Sequence, residues 1–474
     1  SSGNITVDAT ANNSDIIFKG TDATSDITML TLDGSEAGAA TFNDKIIATE
    51  LDISGAIDVD GTSNLDVVDI DGAVDMASTL QVDGAITTDS TINGVGIKYN
   101  ITNFVGSLLI SNDAGTGTLD AASNNTGIGH EVFDDITTGD NNVAVGYQGL
   151  TKLTTGTRNT AVGTLALGAN TTGGANTSVG KDSLYSNTTA DGNTSVGMGT
   201  LYSNTTGAKN TAVGSLALDT NTTGDNNVAI GYDALTGNQG ADDNVAIGHQ
   251  ALYTNSSGAN NTAVGKNSLY YNTTASANTA VGNLALTANT TGTSNTGVGN
   301  NVLTANTTGE RGTAVGTNAL DANTTANNNT AFGFDSLTAT TTGQNNVAVG
   351  AYTLGANTTG LQNVAVGACA LDANTEGANN TAVGHSALSA NTTGCPNTAF
   401  AYQALYSNTT GTTNTALGYQ GLRTNTTGTS NTAVGHMSLC KNTTGVGNIA
   451  MGCGALCSNT TASGNIGIGY NRSK

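Results

Sequence analysis

Histidine side chains, of which this chain has four, can bind a metal ion or transfer a proton near neutral pH. All four histidines follow directly after a glycine that recurs every 17 residues, at His130, His249, His385 and His436. They are separated by seven, eight and three of these repeats. Since an imidazole nitrogen must come within about 2 Å of a metal ion, histidines so far apart in one chain cannot share one. We therefore predict no metal site among them; the alternative is a ring of equivalent histidines in a trimer, which requires that the column face the trimer axis.

Tyrosines occupy two regular positions in the same repeat. One group shares the histidine position, and the other lies five residues after the recurring glycine. Tyrosine combines an apolar ring with a polar hydroxyl, which suits contacts with glycans and proteins. The alternative is that these rings only pack on one another. We predict twelve surface contact residues: Tyr147, Tyr232, His249, His385, Tyr402, Tyr419, His436, Tyr185, Tyr202, Tyr253, Tyr270 and Tyr406.

The five cysteines all lie in the last third of the chain, and none forms a CxxC motif. Cys440 and Cys457 are one repeat apart. Neighbouring strands lie about 4.8 Å apart, which is within the Cα range for a disulfide. Parallel neighbours in register are nevertheless awkward for that bond. We therefore predict free thiols, and the redox compartment stays open.

No catalytic motif is present. The chain contains no GxSxG, no HExxH and no phosphate-binding loop. Carboxylates such as Asp182, Asp233 and Asp335 are scattered turn residues, and Asp242–Asp243 is typical of a solvated turn. We predict that the protein is not an enzyme and has no catalytic or cofactor-binding residues.

A weak calcium motif occurs near the amino terminus. Asp58, Asp60 and Asp66 lie in D-V-D-G-T-S-N-L-D, which loosely resembles a calcium loop. The bidentate glutamate and the flanking helices of an EF-hand are missing. We expect no cofactor, with calcium at these three aspartates as the alternative.

The charge of the chain excludes several partners. The 474 residues carry a net charge of −22. An acidic chain repels nucleic acid and anionic membrane surfaces. No run of 18 apolar residues occurs, which argues against membrane insertion. The chain begins at Ser1 without a signal-peptide pattern, so either a leader was removed or the sequence is part of a longer protein.

These residues must be positioned by a repeat that does not slip. A ladder of glycines runs from Gly129 to Gly469 in steps of 17, and only Ala401 departs from it. The unit is N-T-A-V-G-x-x-A-L-x-x-N-T-T-G-x-x, as in residues 159–175. A short fixed period without insertions means that each unit is one coil stacked on the last. We predict an all-β fold, a parallel β-solenoid or β-roll of about 21 coils.

Within each unit, alternating residue sizes predict a strand around the position two before the glycine. That position is always tiny, as at Ala161 and Ser178, while its neighbours are apolar or β-branched, with Phe332 and Phe400 as the large exceptions. We expect both faces to be packed, with the valine and threonine columns in the core and the small face against another sheet or chain. Leucine four residues after the glycine, as at Leu167, forms a second core column. These expectations favour an oligomer, and we predict a trimer.

Asparagines form two further columns, as at Asn142 and Asn170. We predict hydrogen-bonded asparagine ladders rather than glycan acceptors, although N-T-T is a formal sequon. The ladder glycine and the N-T-T-G glycine are predicted to have positive φ. Thr171 and Thr172 are adjacent and should point to opposite sides, which argues against an ice-binding threonine array.

The chain divides into three predicted regions. Residues 1–94 are an Asp/Gly-rich fibrous β region of short strands, residues 95–125 are a neck or connector, and residues 126–474 are the solenoid. The first region alone has little apolar material for a core, which again favours intertwined chains.

The repeat carries a resemblance. N-T-A-V-G-x-x-A-L resembles the head repeats of trimeric autotransporter adhesins, in which a related unit forms a trimeric β-roll. The longer N-T-T-G-x-x-N-T-A-V-G-x-x-A-L form, with the Asp-Gly strands before it, more closely resembles tail fibres of marine bacteriophages. This implies a homotrimeric structural and adhesive fibre in the virion tail or outside the cell. Its partners would be a host cell-surface glycan or protein and other virion tail proteins. The alternatives are a bacterial surface adhesin and a subunit of an extracellular filament.

Overall fold

The computed structural model describes residue 7 and residues 15–22, 25–33, 39–42, 91–92, 95–99, 103–111 and 120–471. The three aspartates of the weak calcium motif, Asp58, Asp60 and Asp66, lie outside these ranges. The chain divides into two compact units, Ser1–Ala85 and Ile86–Lys474. The boundaries predicted at residues 94 and 125 stay predictions.

The first unit contains a three-stranded antiparallel sheet with the order β1-β2-β3. Its strands are β1 (Ile16–Asp22), β2 (Ser25–Asp33) and β3 (Ala39–Phe42). Ile17 and Phe18 are neighbours on one strand and so point to opposite faces, yet each is 48% exposed. The described residues of this sheet therefore leave apolar side chains open on both faces.

The second unit is one long ladder of strands. It begins with β4 (Thr91–Ile92), β5 (Val95–Tyr99) and β6 (Leu108–Ser111), which are paired antiparallel. β6 then pairs in parallel with β7, and every later strand pairs in parallel with the next. The remaining strands are β7 (Thr126–Ile128), β8 (Val143–Val145), β9 (Thr160–Val162), β10 (Thr177–Val179), β11 (Thr194–Val196), β12 (Thr211–Val213), β13 (Val228–Ile230), β14 (Val245–Ile247), β15 (Thr262–Val264), β16 (Thr279–Val281), β17 (Thr296–Val298), β18 (Thr313–Val315), β19 (Thr330–Phe332), β20 (Val347–Val349), β21 (Val364–Val366), β22 (Thr381–Val383), β23 (Thr398–Phe400), β24 (Thr415–Leu417), β25 (Thr432–Val434), β26 (Ile449–Met451) and β27 (Ile466–Ile468).

The predicted fold class is confirmed. Strands β7–β27 give 21 turns, and each residue pairs with its equivalent 17 positions later, as Thr177 does with Thr194. The fold is an all-β parallel solenoid. Within the described ranges, no helix has the length and apolarity needed to cross a bilayer.

The core contains the small and leucine columns, so the prediction that the valine and threonine columns lie in the core, with the small face against another sheet or chain, was wrong. Ala161 and Leu167 are fully buried. A Cβ on Gly467, in the small column, would lie 2.6 Å from Leu456 of the preceding coil. The close approach therefore comes from the chain's own leucines. Val162 and Ile230 are each 37% exposed, because a 17-residue coil has room inside for little more than the small and leucine columns.

Two glycine columns keep neighbouring coils close for different reasons. The ladder glycines have positive φ, as predicted, and a Cβ on Gly282 (φ 135°) would lie 2.1 Å from the carbonyl oxygen of Gly299. The prediction of positive φ at the N-T-T-G glycines was wrong, since none of the described ones has it. Gly258 in that column allows a close approach of the next coil, because a Cβ there would lie 2.1 Å from the carbonyl oxygen of Ala275.

The corners also use left-handed residues that are not glycine. Leu150 and Leu184 have φ of 50°, and the same holds along the leucine column. Further left-handed residues lie two after and five before the ladder glycine, as at Gln148 and Asn141. A bulky side chain in this conformation is costly, so burial of the leucine offsets local strain.

The asparagine ladders are confirmed. Asn159 is fully buried, accepts a hydrogen bond from the Asn176 backbone N–H at 3.0 Å through Oδ1, and donates through Nδ2 to the Gly173 carbonyl oxygen at 2.9 Å. In the N-T-T column, Asn187 is also fully buried and donates to Asn170 Oδ1 at 2.9 Å. Buried, hydrogen-bonded amides are structural and cannot serve as glycan acceptors in the folded chain.

The two threonines of N-T-T differ, as predicted. Thr171 Oγ1 donates to the Thr188 carbonyl oxygen of the next coil at 3.0 Å, whereas Thr172 is exposed. The adjacent threonines do not form one flat array.

The cysteine prediction was wrong for one pair. Cys440 and Cys457 form a disulfide, with Cα atoms 5.0 Å apart. This column lies beside the leucines, where register brings equivalent residues within the range that the bond requires. Cys369, Cys395 and Cys453 are free thiols.

A gap in the N-T-T ladder offers a test of its contribution to stability. Thr340 interrupts the asparagine column that runs from Asn170 to Asn459, and the buried Asn323 Oδ1 has no hydrogen-bond partner. Thr340→Asn should supply the missing donor and stabilise the solenoid by about 1 kcal/mol. The midpoint of urea unfolding, followed by circular dichroism, should rise.

The matched control is Thr342→Asn, because Thr342 is exposed two residues away. It should leave the midpoint unchanged. Equal shifts in both variants would show that the gain does not come from the buried ladder.

Candidate functional site

The residues that follow the ladder glycines form what we call the first aromatic column. Rings in adjacent coils of this column stack, with centroids 5.4 Å apart for His130 and Tyr147 and 5.6 Å apart for Tyr232 and His249. The interplanar angle is 21° in both pairs. Register fixes this arrangement, because equivalent side chains of parallel in-register strands lie directly above one another.

The longest run of this column lies in the last six coils. His385, Tyr402, Tyr419 and His436 stack in sequence, with centroid distances of 5.6, 5.3 and 5.1 Å. The next coil places Cys453 Sγ 3.8 Å from His436 Nδ1. We call the six residues of these coils the C-terminal ladder: His385, Tyr402, Tyr419, His436, Cys453 and Tyr470.

The second aromatic column lies five residues after the ladder glycines. Tyr185 stacks on Tyr202 with centroids 5.3 Å apart, and Tyr253 stacks on Tyr270 at 5.0 Å. Loss of hydration, reinforced by the neighbouring tyrosines, raises the pKa of Tyr270. Tyr406 has no stacked tyrosine, and the Arg423 guanidinium lies 6.0 Å from its ring centroid.

All twelve predicted contact residues therefore lie at the partly or fully exposed edge of the solenoid, but in separate groups. Four of them are brought together in the C-terminal ladder, and the others form isolated pairs or stand alone. Sequence reasoning missed Phe334, which contacts Tyr352 edge to face at 5.4 Å, and Tyr271, which contacts Tyr270 in the same way at 4.6 Å. Phe334 occupies the first aromatic column, so the period alone was sufficient to find it.

Stacking limits what these columns can contact. Ring faces inside a run are covered by the rings above and below, so a ligand meets the ring edges, the tyrosine hydroxyls and the imidazole nitrogens. These polar groups repeat at about 4.8 Å, the spacing of the strands. Such a row suits an extended ligand or surface that hydrogen-bonds at several points, and it does not suit a sugar ring stacked on an aromatic face.

In the part of the chain that the structure describes, no group of three or more His, Cys, Asp or Glu residues is placed to hold a metal ion. The turn carboxylates have ordinary partners. Asp182 pairs with Lys181 at 3.2 Å, and Asp335 accepts a hydrogen bond from Asn318 at 2.9 Å.

Asp219 differs from these carboxylates. It is half-buried beside the leucine column, and its Oδ1 has no hydrogen-bond partner. Loss of hydration, with a smaller contribution from the charge of Asp233, raises the pKa of Asp219 from 3.8 to about 6. Its charged form is therefore disfavoured in the folded chain.

Comparison with known protein families, with curated proteins and with solved structures finds no match to this chain.

The raised pKa of Asp219 predicts a pH-dependent stability. A carboxyl whose pKa is higher in the folded state favours folding when protonated, and this advantage is lost as pH rises from about 4 through about 6. Asp219→Asn should therefore raise the melting temperature at pH 7.5 relative to wild type. The difference should shrink towards pH 4.

Asp243→Asn is the control, since Asp243 is exposed on a left-handed turn that asparagine also adopts. Its effect should not vary with pH. If Asp219→Asn changes the melting temperature equally at pH 4 and pH 7.5, the raised pKa of Asp219 is contradicted.

Proposed function

We propose that this protein is the subunit of a structural and adhesive fibre, a bacteriophage tail fibre in which three copies of the chain assemble. The solenoid supplies length, and its edge columns supply contacts to the host surface. The observation that carries the proposal is the outer face of the strands.

That outer face is an uncharged strip. It consists of the first and third residues of each strand from β7 to β27, such as Thr262 and Val264. None of these positions holds a charged residue, although the chain has 48. Bulky members are open to solvent in the single chain, with Phe332 55% exposed and Phe400 53% exposed. A long face of threonine and aliphatic side chains without charges has the composition of an interface core, where charged residues are depleted.

The strip is large enough for stable assembly. Its 21 strands, at about 4.8 Å each, give a length of about 100 Å. With a width of about 10 Å, the strip offers about 1,000 Å² per chain, and a standard interface buries about 800 Å² per partner. Burial of this strip between parallel copies would give a rod whose chains all point the same way. A fibre with one virion end and one host end requires that polarity, and the number three follows from the resemblance of the repeat.

Attachment would use the aromatic columns. Each copy presents rows of hydroxyl and imidazole groups to a host cell-surface glycan or protein. One end of the fibre contacts virion tail proteins. Weak contacts become strong when three chains and several fibres engage together.

Assembly is tested by placing charge on the strip. The wild-type chain should sediment as a trimer in analytical ultracentrifugation. Val264→Glu combined with Val298→Glu should give monomers, because charges buried without partners oppose association. The double variant should retain the β-rich circular dichroism spectrum.

The control pair is Thr274→Glu with Thr308→Glu, at exposed turn positions outside the strip. It should remain trimeric. A wild-type chain that stays monomeric at micromolar concentration would refute the proposed assembly.

The tail assignment is tested by immunogold electron microscopy of the native source. An antibody raised against the purified solenoid should label the tails of virions. Label on cell envelopes would point instead to a surface adhesin, and label on filaments without virions would point to a structural filament. Either result would overturn the assignment to a virion while leaving the trimer test unaffected.

A further inference from the structure

Sulfur is concentrated in the last coils of the solenoid. The chain has five cysteines and five methionines, and half of these ten residues lie within positions 437–457. They are Met437, Cys440, Met451, Cys453 and Cys457. Because Cys440 and Cys457 form the disulfide, Cys453 is the free thiol of this segment, and it is exposed.

Cys453 faces an imidazole at a distance suited to a shared metal ion. Its Sγ lies 3.8 Å from Nδ1 of His436, which is exposed in the coil before it. Metal bonds of about 2.3 Å to sulfur and about 2.1 Å to nitrogen place the two donors about 3.6–3.8 Å apart at angles near 110–120°. An ion therefore fits between them without movement of the backbone.

The imidazole is held in place by its neighbour in the C-terminal ladder. Tyr419 stacks on the His436 ring at 5.1 Å with an interplanar angle of 5°. This contact restricts the ring plane, so less conformational freedom is lost when a ligand binds. Cys369 is less suited to metal binding, because burial raises the pKa of its thiol and so disfavours the thiolate.

We propose that Cys453 and His436 bind one soft metal ion of the Cu(I) class. Thiolate and imidazole are donors that suit such an ion, while calcium and magnesium require oxygen ligands. Two protein donors fall short of the four that a structural zinc site uses. On binding, the thiol loses its proton to solvent, the sulfur and Nδ1 bond to the ion, and the exposed side stays open for a third ligand.

The probe is Cu(I), added without oxygen to the full-length chain with its disulfide intact. Competition with a chromophoric Cu(I) chelator should show one tightly bound ion per chain. Cys453→Ser and His436→Gln should each weaken binding at least tenfold. X-ray absorption of the wild-type complex should show both sulfur and nitrogen neighbours of the metal.

Cys395→Ser is the matched control, because Cys395 is a free thiol in another column. It should bind as wild type does. Full binding by His436→Gln would show that the thiolate acts alone, equal loss in Cys395→Ser would show non-specific thiol binding, and absence of binding to wild type would remove the site. Circular dichroism of each variant separates these outcomes from misfolding.

Discussion

Hydrogen bonding between equivalent positions of successive coils is the interaction on which this structure depends. Each coil is too small to satisfy its own polar groups, so backbone N–H groups donate to carbonyl oxygens of a neighbouring coil, as Thr160 does to Asn176 at 2.8 Å. The asparagine ladders extend the same pattern to side chains. This requires a constant 17-residue period, because one inserted residue would break every ladder at once and turn the strand's inner face outward.

Leucine burial and backbone strain are coupled at each corner. A buried leucine contributes about 1.5–3 kcal/mol, and a left-handed bulky residue costs about 1–3 kcal/mol. The leucine column therefore does little more than offset the strain of its own conformation. The specificity of the fold must come largely from the hydrogen-bonded ladders, in which a missing partner carries a direct cost. Close packing of glycines against the next coil excludes most substitutions and leaves only the outward columns free to vary.

Much of the architecture followed from the sequence, since the period, the strand and the asparagine ladders are local patterns repeated about twenty times. Which side of the strand lies in the core could not be predicted in the same way. Valine and threonine in strand positions fit a core as well as an interface, and only the fold shows that Ala161 is buried with the leucine column while Val162 faces outward. The left-handed conformation of the leucines could not be predicted either, because no propensity argument places a bulky apolar residue in that conformation. The disulfide was missed because the 17-residue spacing of Cys440 and Cys457 does not show whether their side chains can reach each other. That depends on the geometry of the column in which they lie.

Function in such a rod is restricted to its edges, and register then determines what those edges can do. A side chain that is useful in one coil is brought directly above the same position in the next, so chemistry accumulates as rows rather than as pockets. The aromatic rows bury their ring faces against one another, which leaves polar rims for recognition. Where the row changes from tyrosine to histidine and cysteine, at His436 and Cys453, the same stacking places two metal-binding donors 3.8 Å apart. One structural rule thus accounts for both the aromatic rows and the pair of donors proposed to bind a metal ion, and they differ only in the residues that occupy successive coils.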